Sequence, residues 1–224
     1  MDNSQPRISA NEFGIFVYST DAEKQRILKN QKVKKPFIAA HYHSAESAIL
    51  RSFKGGTFSE EVLSEEIAKL KAAPIETSFQ KKARPSNILA LKRFLPICEK
   101  AAPPTGEHSI IRRNASFEFE GICVSVRPDI LTRNLKQGFF TYSKLRLCRH
   151  KYSSDASEIL LLLLQKYAEQ QDFEGLEFDL SRARLIDCFS QQVLEPHHVS
   201  PYKGKRLMQA AKEVKALWPF ISAN

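Results

Sequence analysis

The chemistry written most densely into this sequence is cationic. Between residues 127 and 151 stand Arg127, Arg133, Lys136, Lys144, Arg146, Arg149 and Lys151, seven bases against a single acid, Asp129. Guanidinium and ammonium groups crowded in this way neutralise phosphates and release the counterions condensed on a polyanion. Two other stretches share the bias. Residues 24–35 hold six Lys or Arg and no acid, and residues 81–93 hold five and no acid. Residues 155–187 run the other way, with eight acids against three bases. The net charge of +9 is therefore unevenly spread, and charge spread so can build one positive face. Nucleic acid, DNA in the first place, is the expected partner. On local grounds Arg127 and Lys144 serve to hold phosphates, and Asp129 reads as a turn aspartate after Pro128.

Other chemistries find less support. His41-Tyr42-His43 puts two imidazoles on one side of an extended segment, without further metal ligands at a recognisable spacing, and reads as a polar loop or strand edge. His197-His198 follows Pro196 in a loop. No Gly-rich phosphate loop and no Gly-x-Ser-x-Gly elbow is present. The four cysteines, at 98, 123, 148 and 188, form no Cys-x-x-Cys pair and read as buried free thiols in a reducing compartment. Met1-Asp2-Asn3-Ser4-Gln5-Pro6 lacks a basic-then-apolar leader pattern, and the longest apolar run spans only residues 159–164. The expectation is a soluble cytoplasmic protein without a membrane partner.

These residues need a scaffold. The sequence predicts an α/β fold in a single domain over 1–224. Residues 1–115 form a mainly helical part. Residues 116–224 form a β-hairpin, helix and strand core, a small mixed sheet flanked by helices, closed by an amphipathic C-terminal helix. Ser9 to Glu12 and Thr20 to Glu23 match the capping box, which opens helices near 10–18 and 21–31. Further helices are expected over 44–53, 59–71 and 85–95, the last opened by Pro85-Ser86 and closed by Pro96. Phe117 and Phe119 alternate with acids, then Ile122, Val124 and Val126 alternate in the opposite phase, so a bulge or tight bend belongs at Gly121. A second strand over 138–147 completes a hairpin. A helix over 154–171, capped by Asp155 and Glu158, is apolar all round from Ile159 to Leu164 and must be buried on more than one side. Strands follow over 176–180 and 185–189. Ser200-Pro201 opens the last helix, and Trp218-Pro219 ends it.

Val124-Ser125-Val126-Arg127-Pro128-Asp129, followed by Thr141-Tyr142-Ser143-Lys144-Leu145 and a buried helix, resembles the PD-(D/E)XK nuclease superfamily. The resemblance covers residues 40–53 and 115–190 and implies a restriction-endonuclease-like core of helix, hairpin, helix and strand. It makes Asp129 the first acid, a ligand of Mg²⁺, and Lys144 the lysine that positions the attacking water. In that family a metal held by two acids stabilises the charge that phosphodiester hydrolysis develops. The second acid belongs at position 142, where this chain has Tyr142, a poor ligand for Mg²⁺. Two residues can stand in. Glu158, on the following helix, is either a relocated acid, as in some members, or a cap residue. Glu46, on the first helix, is either a site acid or part of a solvated face. Three functions follow: a nucleic-acid-binding protein with an incomplete nuclease-like site, an active Mg²⁺-dependent nuclease of repair or antiphage defence, or a non-enzymatic adaptor subunit docking an acidic protein.

Overall fold

The computed structural model describes residues 5–33, 41–53, 58–148, 153–173, 175–196 and 201–222. The protein has the α/β fold that the periodicities predict, with helices on mixed β-sheets. The chain opens with a short strand, β1 (Arg7–Ser9), and two helices, α1 (Ala10–Phe16) and α2 (Asp21–Lys32). Both boxes of the sequence are used, to different extents. Thr20 and Glu23 satisfy each other's backbone reciprocally, while Ser9 accepts from the Glu12 N–H but its own N–H goes to the Gln31 side chain.

Four helices follow: α3 (His43–Ser52), α4 (Glu60–Ala72), α5 (Ser78–Phe94) and the single turn α6 (Cys98–Ala101). His43 is thus helical, not part of an extended segment. α5 starts a full two turns before the expected Pro85, because Thr77 and Gln80 form a capping box there. Pro85 is exposed, so the Lys81 carbonyl that it leaves without a helical donor faces water.

Two sheets form the rest. β1 pairs in parallel with β4 (Ile122–Val126), which pairs antiparallel with β3 (Ala115–Phe119). Glu120 and Gly121 both have positive φ, 51° and 77°, the pattern of a type I′ turn. The expected slip at Gly121 is therefore a full chain reversal, and the two phases belong to two strands. The second sheet has the order β2 (Glu107–Ile110), β5 (Ile130–Asn134), β6 (Phe139–Arg146), β8 (Arg184–Asp187) and β9 (Gln192–Leu194), with the two-residue β7 (Glu177–Phe178) beside β6. The hairpin is thus β5–β6, and the 117–126 segment is not its first strand. The strands β1 and β2 fall within the stretch read as helical.

α7 (Ser154–Ala168) crosses over from β6 to its parallel neighbour β8, and α8 (Pro201–Leu217) closes the chain. α7 is capped by the Ser153 hydroxyl, which accepts from the Ala156 N–H, rather than by Asp155 and Glu158. Ser200 lies outside the described residues, as do His197 and His198. Every residue from Ile159 to Leu164 is buried, since α7 packs against α1, α8, β3 and β4 as well as β8. The opposite face of the larger sheet, through Ile130, Leu145 and Ile186, meets α3 to α6. Cys98 and Cys188 are buried and Cys123 and Cys148 half-buried, all as free thiols. Among the described residues no helix is long and apolar enough to cross a membrane.

Candidate functional site

The site grows from the open end of the β5–β6 hairpin. The Asp129 N–H donates at 3.0 Å to the carbonyl of Ser143, the residue with which Ile130 is already paired, so Asp129 and Ile130 both stand opposite one residue of β6. Asp129 meets Lys144 through its side chain. Its carboxylate is fully buried and accepts three hydrogen bonds. One oxygen accepts from Lys144 Nζ at 2.6 Å and from the Leu145 N–H at 2.7 Å, and the other accepts from Arg127 Nε at 3.1 Å. Lys144 Nζ also donates to the Leu145 carbonyl at 3.0 Å. Arg127 and Asp129 lie two residues apart in the bent link from β4 to β5, where the guanidinium meets the carboxylate.

Arg127 reaches further. Its Nη2 donates to Glu46 Oε1 at 2.5 Å. Glu46 stands in the first turn of α3, whose start is fixed by a buried side chain of α5. The Asn87 carbonyl oxygen accepts the Ala45 N–H at 2.8 Å, and its amide nitrogen donates to the His41 carbonyl at 2.6 Å. Glu46, Arg127, Asp129 and Lys144 thus form one chain of ion pairs, although the first and last are nearly a hundred residues apart.

The other expected site residues lie elsewhere. Glu158 pairs with Lys203 of α8, which also holds Asp155 at 3.1 Å. Burial pulls the Lys203 ammonium down, but its two carboxylate partners outweigh burial and leave its pKa raised. Tyr142 is buried in an aromatic layer with Phe140, Phe178 and Tyr167. Burial, and then Tyr167, push its phenol far above the ordinary range, so it supplies no anionic oxygen. Arg146 is buried against Asp187 at 2.6 Å. Arg133 lies 3.6 Å from Glu107 of the edge strand, and Lys136 is exposed in the turn at the far end of the hairpin. Arg149 and Lys151 fall outside the described residues.

The basic segment is therefore not one surface. Arg127, Lys144 and Arg146 spend their charge on internal carboxylates, and Arg133 and Lys136 stand at the opposite end of β5–β6. One residue that the sequence did not single out matters here, and another takes a role beyond the expected one. Asp187, neighbour of Arg146 in the β6–β8 register, accepts the Phe189 and Ser190 N–H groups as well. Arg127 was expected only as a phosphate holder, and its bridge to Glu46 leaves no trace in local spacing.

The donor set does not fit Mg²⁺ as arranged. A divalent ion bound by carboxylates needs open oxygen ligands. Here Arg127 bridges the two carboxylates, and no oxygen of Asp129 is without a donor. Among the described residues no group of three or more His, Cys, Asp or Glu is placed to hold a metal.

Beside the ion pairs opens a cleft of about 270 Å³, walled by the β1–α1 junction, β4, α7 and β6. Arg127 and Lys144 line it together with Ser9, Asn11, Asn114 and Ser125. Comparison of the chain with protein-family models and with curated proteins gives no match.

Proposed function

We propose that this protein binds nucleic acid on a nuclease-like core whose acidic pair is neutralised from within, so that it holds its ligand without cutting it. The observation that carries the reading is Arg127, a fixed cation between Glu46 and Asp129. What supports the nuclease-like core is the element order α3, β5–β6, α7, β8, with Asp129 at the head of the first hairpin strand and Lys144 hydrogen-bonded to it. It is the order that the superfamily resemblance implies. The two acids that approach each other are Glu46 and Asp129, so Glu158 drops out as a stand-in for Tyr142.

Nucleic-acid contacts fall to bases not consumed internally. α5 carries five bases and no acid, and Lys81, Lys82, Lys92 and Arg93 on it are exposed. Each phosphate contact made by such a base contributes roughly 0.9 to the log–log salt slope on duplex DNA. The test is binding of duplex and single-stranded DNA and RNA across a salt series, alongside cleavage with Mg²⁺ or Mn²⁺. We expect salt-dependent binding, a flatter slope when those four residues become Ala, and intact strands throughout. Robust cleavage abolished by both Asp129→Ala and Lys144→Ala would overturn the non-catalytic reading. Absence of binding to every strand type would overturn the nucleic-acid reading itself.

A further inference from the structure

The ion pairs leave donors unspent on two residues that line the same cleft. A guanidinium has five N–H groups and an ammonium three. Arg127 gives one to Asp129 and one to Glu46, leaving three, and Lys144 gives one to Asp129 and one to the Leu145 carbonyl, leaving one. Both side chains line the cleft, while Asp129 and Glu46 do not; the carboxylates hold the cations from behind. No acid lines the cleft among the described residues.

The remaining wall is neutral and donor-rich. Ser9 and Ser125 are register partners on β1 and β4, so they emerge side by side on one face. Ser9 accepts from the Glu12 N–H with a lone pair, which leaves its hydroxyl proton available. The Ser125 hydroxyl and the Asn114 amide make no hydrogen bond with other described residues. At about 270 Å³ the cleft lies just under the ~300 Å³ lower end for drug-sized ligand sites. That is room for a phosphate and a sugar, not for a continuous strand.

From this convergence of Arg127, Lys144, Asn114 and Ser125 on one small cleft, we infer that the cleft receives the terminal phosphate of a nucleic-acid strand. The inference rests on the nucleic-acid reading for the identity of the strand, and on the cleft alone for the phosphate. Two of its walls, β1 and the start of α1, lie outside the hairpin core.

The experiment compares internally labelled single strands bearing a phosphate at the 5′ end, at the 3′ end or at neither, with inorganic phosphate as competitor and as a thermal-shift ligand. Asn114→Ala with Ser125→Ala removes the two unpartnered groups without touching the ion pairs. Wild type should prefer one or both phosphorylated strands roughly tenfold, the factor for one further hydrogen bond to a charged group. The double variant should lose that preference and keep its affinity for the strand without a terminal phosphate. Equal affinity of wild type for all three strands would overturn the inference while leaving nucleic-acid binding intact. If no strand binds but phosphate raises the melting temperature of wild type and not of the double variant, the phosphate site stands and the nucleic-acid reading falls. If neither strands nor phosphate act, both fall.

Discussion

Two carboxylate–cation pairs sit two residues apart along β6. Asp129 binds Lys144, and Asp187 binds Arg146, in each case with a nitrogen 2.6 Å from an oxygen. Both carboxylates are buried, both stand beside β6, the strand of their cation, and both accept backbone N–H groups besides. The difference lies in what surrounds them. Asp187 spends its second oxygen on the turn that follows β8, and Arg146 lines a separate cleft with Glu12, Tyr18 and Ser153. Asp129 spends its second oxygen on Arg127, which passes on to Glu46 in the helical layer and turns its spare donors to a cleft. Similar local chemistry thus staples a turn in one place and makes a hub of four charged side chains in the other. Burial and pairing are alike in the two; what each carboxylate's other oxygen holds is not.

The largest expected effect is at the staple. Asp187→Ala removes the acceptor of Arg146 and of two turn N–H groups, and breaking a buried pair costs about 3–5 kcal/mol. Urea unfolding reads this directly, and a loss under ~1 kcal/mol would mean that the pair is solvated. At the hub, Arg127 is partly exposed, so Arg127→Ala should cost less, about 1–2 kcal/mol. It should do something the staple variant does not: leave Glu46 and Asp129 facing each other without the bridging cation. We expect Mn²⁺ to raise the melting temperature of Arg127→Ala and to leave wild type and Asp187→Ala unmoved. A wild-type response equal to that of the variant would show that Arg127 is displaced by the ion and does not exclude it.

The smallest effect belongs to Glu158, which the comparison places outside both pairs. Glu158→Gln weakens a partly buried clamp between α7 and α8 and should cost about 0.5–1 kcal/mol, with nucleic-acid binding unchanged. Its pH signature has a definite sign. The folded pKa of Lys203 is raised, so the clamp's contribution is fully present below the ordinary lysine range. It is lost as pH rises through the raised value. Stability curves of wild type and Glu158→Gln should therefore converge at strongly alkaline pH. Divergence there would place the charge of Glu158 in some other interaction.

Local rules read much of this protein correctly where a few neighbouring residues decide. Thr20 and Glu23 form the box that their spacing announces, and six consecutive apolar residues in α7 are buried between layers as their pattern requires. The rules failed where a distant partner or a competing cap intervened. Ser153 took the cap of α7 from Asp155, Thr77 opened α5 ahead of Pro85, and Gln31 took the Ser9 N–H that a box would have given to Glu12. Strands of three or four residues, such as β1, β2 and β9, are too short for alternation to register. At the candidate site, the fifteen-residue interval between Asp129 and Lys144 was legible as a hairpin pair. The roles of Arg127 and Glu46 were not, because their ion pair spans 81 residues and depends on where α3 docks.

The bond from the Leu145 N–H to Asp129 bears on folding as well as on chemistry. A hairpin with one apolar face can slip by a residue, and a slip turns every side chain to the other side of the sheet. Slipped by one, Asp129 would lose Lys144 and the Leu145 N–H, its two partners on β6, while remaining buried near Cys188. A bare carboxylate there is prohibitive, so the acid acts as a key that admits one alignment of β5 on β6 and rejects its neighbours. An acid that fixes the alignment of a hairpin is kept in place by folding, whatever reaction its position suggests.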